Sequence, residues 1–214
     1  MVVKSDSFKR PMNLAQLFNH YGSDKDRNGY AQLYSVLLSP RRDAVHLFLE
    51  IGIGTLLPGV HSSMQGYALE GYAPGGSLRA WRDWFPRAHI WGCDVQPDTQ
   101  FSEPRITTKL CDSTDADAVQ RSFGSNNPPS IDVIVDDGSH LDQHQLVTLR
   151  NFWPLLRDGG IYVVEDIHPG SQLSVNPHVV GEVVGHDVPY FFVGVMNNLC
   201  VLQKTKLDSK RVGY

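Results

Sequence analysis

Short apolar runs rich in β-branched and aromatic residues recur along the chain, and the segments between them carry apolar residues at helical spacing. The runs are Val45 to Ile51, His89 to Val95, Ile106 to Leu110, Ile131 to Val135 and Ile161 to Val164. Apolar runs bounded by turn residues suit strands covered on both faces, and their alternation with helices predicts a parallel sheet. Ser77 to Phe85 supplies one connecting helix, with Ser77 as its cap and Leu78, Trp81 and Phe85 on one face. Leu146, Leu149, Phe152, Trp153 and Leu156 predict a second, closed by Asp158-Gly159-Gly160. Tyr190 to Val195 and Leu199 to Gln203 flank Met196-Asn197-Asn198, a hairpin pattern. Together these elements predict a Rossmann-like α/β fold. Its central sheet is expected to be seven-stranded and mostly parallel, with a terminal antiparallel hairpin and helices on both faces. A dinucleotide dehydrogenase would carry a sixth parallel strand instead.

Residues 1–44 precede the first strand and have a pattern of their own. Leu14, Leu17, Phe18, Tyr21, Leu33, Tyr34 and Leu37 predict two short helices around Tyr21-Gly-Ser-Asp-Lys25. This segment reads as a helical cap, either a lid over a cofactor or a contact in a homodimer or larger homo-oligomer. Residues 45–214 are then the cofactor-binding domain, and the whole is expected to be one globular unit.

Composition narrows the class of partner. A length of 214 residues suits one α/β domain, and a formal net charge of −4 gives no general attraction to nucleic acid or an anionic membrane. A small-molecule acceptor is the expected partner. Cys93, Cys111 and Cys200 are odd in number, widely separated and set in apolar stretches, which predicts buried reduced thiols. With no signal-peptide pattern and no run long enough for a membrane span, a soluble cytoplasmic protein is expected.

The candidate chemistry sits at the ends of the predicted strands. Leu49-Glu50-Ile-Gly52-Ile-Gly54 follows the first, where glycines permit a tight turn and close approach of backbone to a ligand. The second ends at Asp94, placed to accept hydrogen bonds from ribose hydroxyls, and the third at Cys111-Asp112-Ser113, placed to meet an adenine edge. Between Gly54 and Gly75-Gly76, residues 55–74 read as an insertion without regular structure. The fourth strand runs into Asp136-Asp137-Gly-Ser-His140 and the fifth into Glu165-Asp166-Ile-His168. If these strands are neighbours, Asp137, Glu165 and Asp166 converge. Unscreened carboxylates so close repel, whereas a hard divalent cation such as Mg²⁺ accepts their oxygens and neutralises them. His140 lies near that cation and suits a general base. His144 and His168 are candidate supports.

Taken together, these motifs resemble the metal-dependent sugar O-methyltransferases of macrolide biosynthesis. The likeness runs from about Tyr21 to about Asp166, and rests on Tyr21-Gly-Ser-Asp-Lys25 with Gly29-Tyr30, Leu49 to Gly54, Gly75-Gly-Ser-Leu-Arg79, Asp136 to His140 and Val164-Glu-Asp166. The resemblance implies Mg²⁺ or another hard divalent cation on Asp137, Glu165 and Asp166, and His140 as base. It also implies S-adenosylmethionine (SAM) as methyl donor, with S-adenosylhomocysteine (SAH) as product, contacted by Glu50, Gly52, Asp94 and Asp112. Gly54, Ser77, Ser113, Asp136 and Tyr30 complete the expected cofactor set. The large N-terminal domain known from that family is not expected here, and residues 55–74 and those after His168 need not follow the family.

The expected enzyme is therefore a SAM-dependent O-methyltransferase acting on a natural-product hydroxyl, or alternatively on a carboxylate. A nicotinamide oxidoreductase lacks support from a compact Gly-x-Gly-x-x-Gly, and a metal-dependent hydrolase leaves the glycine turn and Asp94 without purpose. A noncatalytic interaction protein would have no need of intact Asp137, His140, Glu165 and Asp166.

Overall fold

The computed structural model describes residues 11–60, 62–68, 72–125, 130–176, 178–185 and 190–206. Eight strands are β1 Leu47–Ile51, β2 His89–Asp94, β3 Ser102–Glu103, β4 Ile106–Leu110, β5 Ile131–Asp136, β6 Leu156–Val164, β7 Tyr190–Met196 and β8 Leu199–Lys204. Eight α-helices accompany them: α1 Leu14–His20, α2 Tyr30–Leu38, α3 Met64–Tyr67, α4 Gly76–Trp84, α5 Ala116–Phe123, α6 Asp142–Phe152, α7 Gln172–Val175 and α8 His178–Val184.

The strands form one sheet in the order β3-β4-β2-β1-β5-β6-β8-β7. β4, β2, β1, β5 and β6 are parallel, and β8 and β7 add the antiparallel hairpin. This is the expected α/β methyltransferase layout with one addition. The two-residue β3 pairs antiparallel on the outer edge of β4, so the sheet has eight strands among the described residues rather than seven. From β1 the chain winds outward to β2 and β4, then returns to lay β5 on the other side of β1. That reversal opens a crevice at the carboxyl ends of β1 and β5, the place where open α/β sheets bind ligands.

The two faces bury separate cores. On one, α1, α2 and α4 pack Phe18, Tyr34, Trp81 and Phe85 against Phe48 of β1, with the Phe18 and Tyr34 rings set edge-on to Trp81 at 4.9 and 5.0 Å between centroids. On the other, α5, α6 and α8 cover Leu49, Ile134, Tyr162 and Leu202 with Phe123, Leu149, Phe152 and Val180. The two predicted helices of residues 1–44 are thus α1 and α2, built into the same core as the sheet.

Two expected helix boundaries move. α4 starts at Gly76 behind Gly75, whose φ of +89° no side-chain-bearing residue adopts cheaply, so Ser77 lies inside the helix rather than capping it. α6 stops at Phe152 because Pro154 cannot continue the hydrogen-bond ladder; a 3-10 turn follows. Asp158-Gly159-Gly160 then falls within β6, next to a register irregularity between β5 and β6, instead of closing a helix. Residues 55–74 hold only the single turn of α3 among the described residues.

At the opposite end of the sheet, Asp132 Oδ2 accepts from the backbone N–H groups of His46 and Leu47 at 2.7 and 2.8 Å, pinning the start of β1 to β5.

Candidate active site

The carboxyl ends of the strands line one cavity of about 690 Å³. One end is formed by Gly52, Gly54 and Thr55 after β1, Asp94 and Gln96 after β2, and Cys111, Asp112, Ser113 and Thr114 after β4. The other end is formed by Asp137, Ser139, His140 and His144 after β5, with Ser23, Asp24 and Lys25 from the loop between α1 and α2.

Register explains why these residues meet. Ile51 pairs with Asp136 across β1 and β5, and Asp136 with Val164 across β5 and β6. The ladders continue one step further, with Asp137 N donating to Ile51 O and Glu165 N to Asp136 O, each at 2.8 Å. The next residue on each strand is therefore the one carrying chemistry: Gly52, Asp137 and Glu165. Gly52 has φ +88°, and a Cβ there would lie 1.9 Å from the Asp137 carbonyl oxygen.

Asp137 divides its carboxylate. Oδ2 accepts from Lys25 Nζ at 2.7 Å, while Oδ1 lies 3.0 Å from His140 Nε2. His140 Nε2 also lies 3.3 Å from Asp166 Oδ2, and one ligand atom from each of Asp137, His140 and Asp166 falls within 4.8 Å of the others. Both His140 and Asp166 take left-handed backbone, φ 58° and 53°, uncommon for residues with side chains and a feature of functional sites. Carboxylate oxygens of Asp137 and Asp166 at that spacing suit a hard divalent cation, with the His140 imidazole beside it.

Glu165 is fully buried and doubly engaged: Tyr34 donates to Oε1 at 2.5 Å and Lys25 to Oε2 at 2.7 Å. Lys25 also lies 3.0 Å from Glu50 Oε1, so its buried ammonium touches acids from the ends of β1, β5 and β6. Burial alone would strip its proton, but Asp137, Glu165 and Glu50 outweigh that and hold it well above the ordinary lysine value. One ammonium cannot neutralise three carboxylates. Burial pushes Glu50 and Glu165 up toward the protonated form, whereas Lys25 and His140 keep Asp137 ionised despite its surroundings. For His140, burial favours the neutral ring, yet the hydrogen bond and charge of Asp137, joined by Asp166, raise it to about 9.

Asp94 is oriented from both sides: Oδ2 accepts from Ile53 N and Oδ1 from Gln96 N, each at 2.8 Å, while the carboxylate still borders the cavity. Asp112 Oδ1 accepts from the backbone and hydroxyl of Thr114 at 2.9 and 2.7 Å. Ser113 shares a hydrogen bond with Thr148 at 2.9 Å. Of the expected cofactor residues, Gly52, Gly54, Ser77, Asp94, Asp112 and Ser113 line the cavity, whereas Glu50, Asp136 and Tyr30 do not. The Asp136 side chain turns into the interior, where burial pushes it up to about 7 and Oδ2 has no partner among the described residues. Tyr30 donates to Asp166 Oδ1 at 2.5 Å. His144 lines the cavity and shares a 2.9 Å hydrogen bond with Ser139, whereas His168 is exposed and away from it. Tyr72 also lines the cavity, whereas Tyr190 and Phe192 pack on the core.

No protein-family model matches the chain. It is 34% identical over 155 residues to the 8-demethyl-8-alpha-L-rhamnosyl tetracenomycin-C 2'-O-methyltransferase of Streptomyces olivaceus, covering 72% of this chain and 37% of that protein. It is 39% identical over 93 residues to the mycinamicin VI 2''-O-methyltransferase of Micromonospora griseorubida, covering 44% of this chain and 23% of that one. Among solved structures, the MycE methyltransferase from the mycinamycin biosynthetic pathway, in complex with Mg, SAH and mycinamycin VI, superposes with a TM-score of 0.75 at 25% identity. That match covers 95% of this chain and 57% of the solved one. The chain is a homologue of the sugar O-methyltransferases of macrolide and related antibiotic pathways. It spans little more than a third of the length of the tetracenomycin relative.

Within this homologue of the antibiotic sugar methyltransferases, two residues of the site carry no role in the sequence reading. Lys25 lies in Tyr21-Gly-Ser-Asp-Lys25, a polar stretch between apolar helices, and Tyr34 reads as a helix-face apolar residue. The signal for Lys25 was the charged pair Asp24-Lys25 where a cap needs none. For Tyr34 no local signal exists, since only the tertiary pairing with Glu165 distinguishes it from a core tyrosine.

Proposed function

We propose that this chain acts as a SAM-dependent, divalent-cation-assisted O-methyltransferase on a hydroxyl of a small natural product, a sugar hydroxyl of a glycoside in the first instance. The observation that carries the reading is the continuity of one cavity from the glycine turn and Asp94 to Asp137 and His140, with Asp166 3.3 Å from His140 Nε2. A donor bound along the first half would present its methyl group to an acceptor held at the second.

The residues suit the donor. Gly52 and Gly54, both at positive φ, leave room for backbone to approach the cofactor, Asp94 offers its carboxylate to the ribose, and Asp112 and Ser113 border the adenine end. Ser77 lines the cavity beside them, whereas Glu50 and Asp136 do not. Asp137 and Asp166 would hold the cation. Glu165, the third expected ligand, would reach it by giving up Lys25 or Tyr34. When bound, the cation would polarise the acceptor hydroxyl and neutralise the carboxylates that hold a proton on His140. His140 Nε2 would then take the hydroxyl proton as the oxygen attacks the methyl group, while the cavity walls keep donor and acceptor in line.

No helix among the described residues is long and apolar enough to cross a membrane, and Cys93, Cys111 and Cys200 are free and buried. These features suit work in a reducing cytoplasm on a small-molecule partner. The loop between α1 and α2 lines the cation end with Ser23, Asp24 and Lys25, and exposed Val36 on α2 offers a contact for a homo-oligomer.

The test is methyl transfer. Purified protein with methyl-labelled SAM, Mg²⁺ and a rhamnosylated polyketide should yield labelled glycoside and one SAH per product, and EDTA should stop it. Label arriving on a carboxylate instead would redirect the acceptor assignment, and turnover of the glycoside without SAM would overturn the reading.

A further inference from the structure

The acids at the cation end are each gripped from the same stretch of chain. Lys25 holds Asp137 Oδ2 at 2.7 Å, and Tyr30 holds Asp166 Oδ1 at 2.5 Å. In both carboxylates the other oxygen is the one turned to the shared centre: Asp137 Oδ1 lies 3.0 Å and Asp166 Oδ2 3.3 Å from His140 Nε2. Tyr34, one helical turn beyond Tyr30, holds Glu165. Lys25, Tyr30 and Tyr34 are all almost completely buried.

We propose that the loop and helix from Lys25 to Tyr34 form a donor frame, in which Lys25 and Tyr30 are positioning residues that decide which oxygens of Asp137 and Asp166 face the cation. The proposal rests on the reading that those two acids hold a divalent ion. Its physical basis is that an isolated carboxylate rotates freely about its last bond, whereas one with an oxygen fixed by a buried donor presents the other in a set direction. Partners of this kind orient metal-binding side chains, and their loss weakens metal affinity about 10- to 100-fold. The frame has an anchor of its own. Tyr30 opens α2, whose Ala31, Tyr34 and Leu38 are locked in the core, so the hydroxyl is carried on a rigid element. Tyr30 therefore acts on the acid cluster through Asp166.

The experiment measures Mn²⁺ binding to the SAM-free protein by electron paramagnetic resonance, with SAH affinity and thermal unfolding recorded alongside. Y30F removes one hydroxyl and keeps the ring in place, and it should bind Mn²⁺ at least about tenfold more weakly, with SAH affinity unchanged within about twofold. The unfolding curve checks that Y30F keeps the wild-type fold. Y30F binding Mn²⁺ as well as the wild type would overturn the frame while leaving the cation reading intact. Wild-type protein binding no Mn²⁺ would remove the cation reading and the frame together.

Discussion

Gly52 and Asp137 meet across the seam between β1 and β5, so closely that a Cβ on Gly52 would lie 1.9 Å from the Asp137 carbonyl oxygen. The glycine turn that borders the donor half of the cavity and the acid that borders the cation half are thus one packed unit. Nothing larger than hydrogen fits at Gly52, and its φ of +88° adds a further penalty for any side chain. G52A should cost at least about 2 kcal/mol of stability and displace Asp137, measured by denaturant unfolding and by the joint loss of SAH and Mn²⁺ binding. A variant that loses neither would contradict this coupling.

Asp94 has its orientation fixed by Ile53 N and Gln96 N, leaving its remaining lone pairs for a ribose. D94A should weaken SAH binding about 10- to 100-fold, the worth of one or two charged hydrogen bonds. Mn²⁺ affinity should stay as it was. Calorimetric titration of each ligand separates the two, and a D94A protein binding SAH normally would place the ribose elsewhere.

His140→Ala removes the only imidazole touching both Asp137 and Asp166 among the described residues. Turnover should fall about 10²- to 10⁴-fold, as for loss of a general base, with SAH affinity preserved. Unchanged kcat would exclude His140 as base.

Cys111 lines the cavity near Asp112, and a hydrogen bond from Cys93 lowers its thiol to about 7 against the cost of burial. A depressed pKa means the reactive thiolate accumulates as pH rises through 7 rather than through the ordinary thiol range near 8.5. Iodoacetamide labelling of Cys111, followed by mass spectrometry, should show that midpoint and should be slowed by SAH. Labelling indifferent to SAH would argue against the donor lying along this wall.

Asp132, far from the cavity, tests stability without chemistry. D132A strands the backbone N–H groups of His46 and Leu47 and should cost about 2 to 3 kcal/mol, read from denaturant unfolding. SAH affinity should be unaffected under folding conditions.

The sheet was legible because its strands are short apolar runs with unambiguous borders, and because strand ends carry polar residues that cores do not tolerate. Asp137, Glu165 and Asp166 could be placed together from one assumption, that β5 and β6 are neighbours, and the register of Asp136 with Val164 satisfies it. What sequence could not reveal is which oxygens are already engaged. Glu165 looks like a free ligand until Lys25 and Tyr34 are seen on its two oxygens, and those partners lie 140 and 131 residues away in the chain. Asp136 and Asp137 are chemically identical neighbours, yet strand alternation sends one inward and the other to the cavity. The starts and stops of α4 and α6 moved because Gly75 and Pro154 outweighed the apolar periodicity around them.

The most direct measurement is an anomalous-difference map from a crystal of the protein grown with SAH and Mn²⁺. It should show one Mn²⁺ peak between Asp137 and Asp166 beside His140, with SAH running from Gly52 past Asp94 to Asp112. A map with Mn²⁺ absent from that position, or SAH bound outside this cavity, would contradict the assignment of one continuous site for donor and cation.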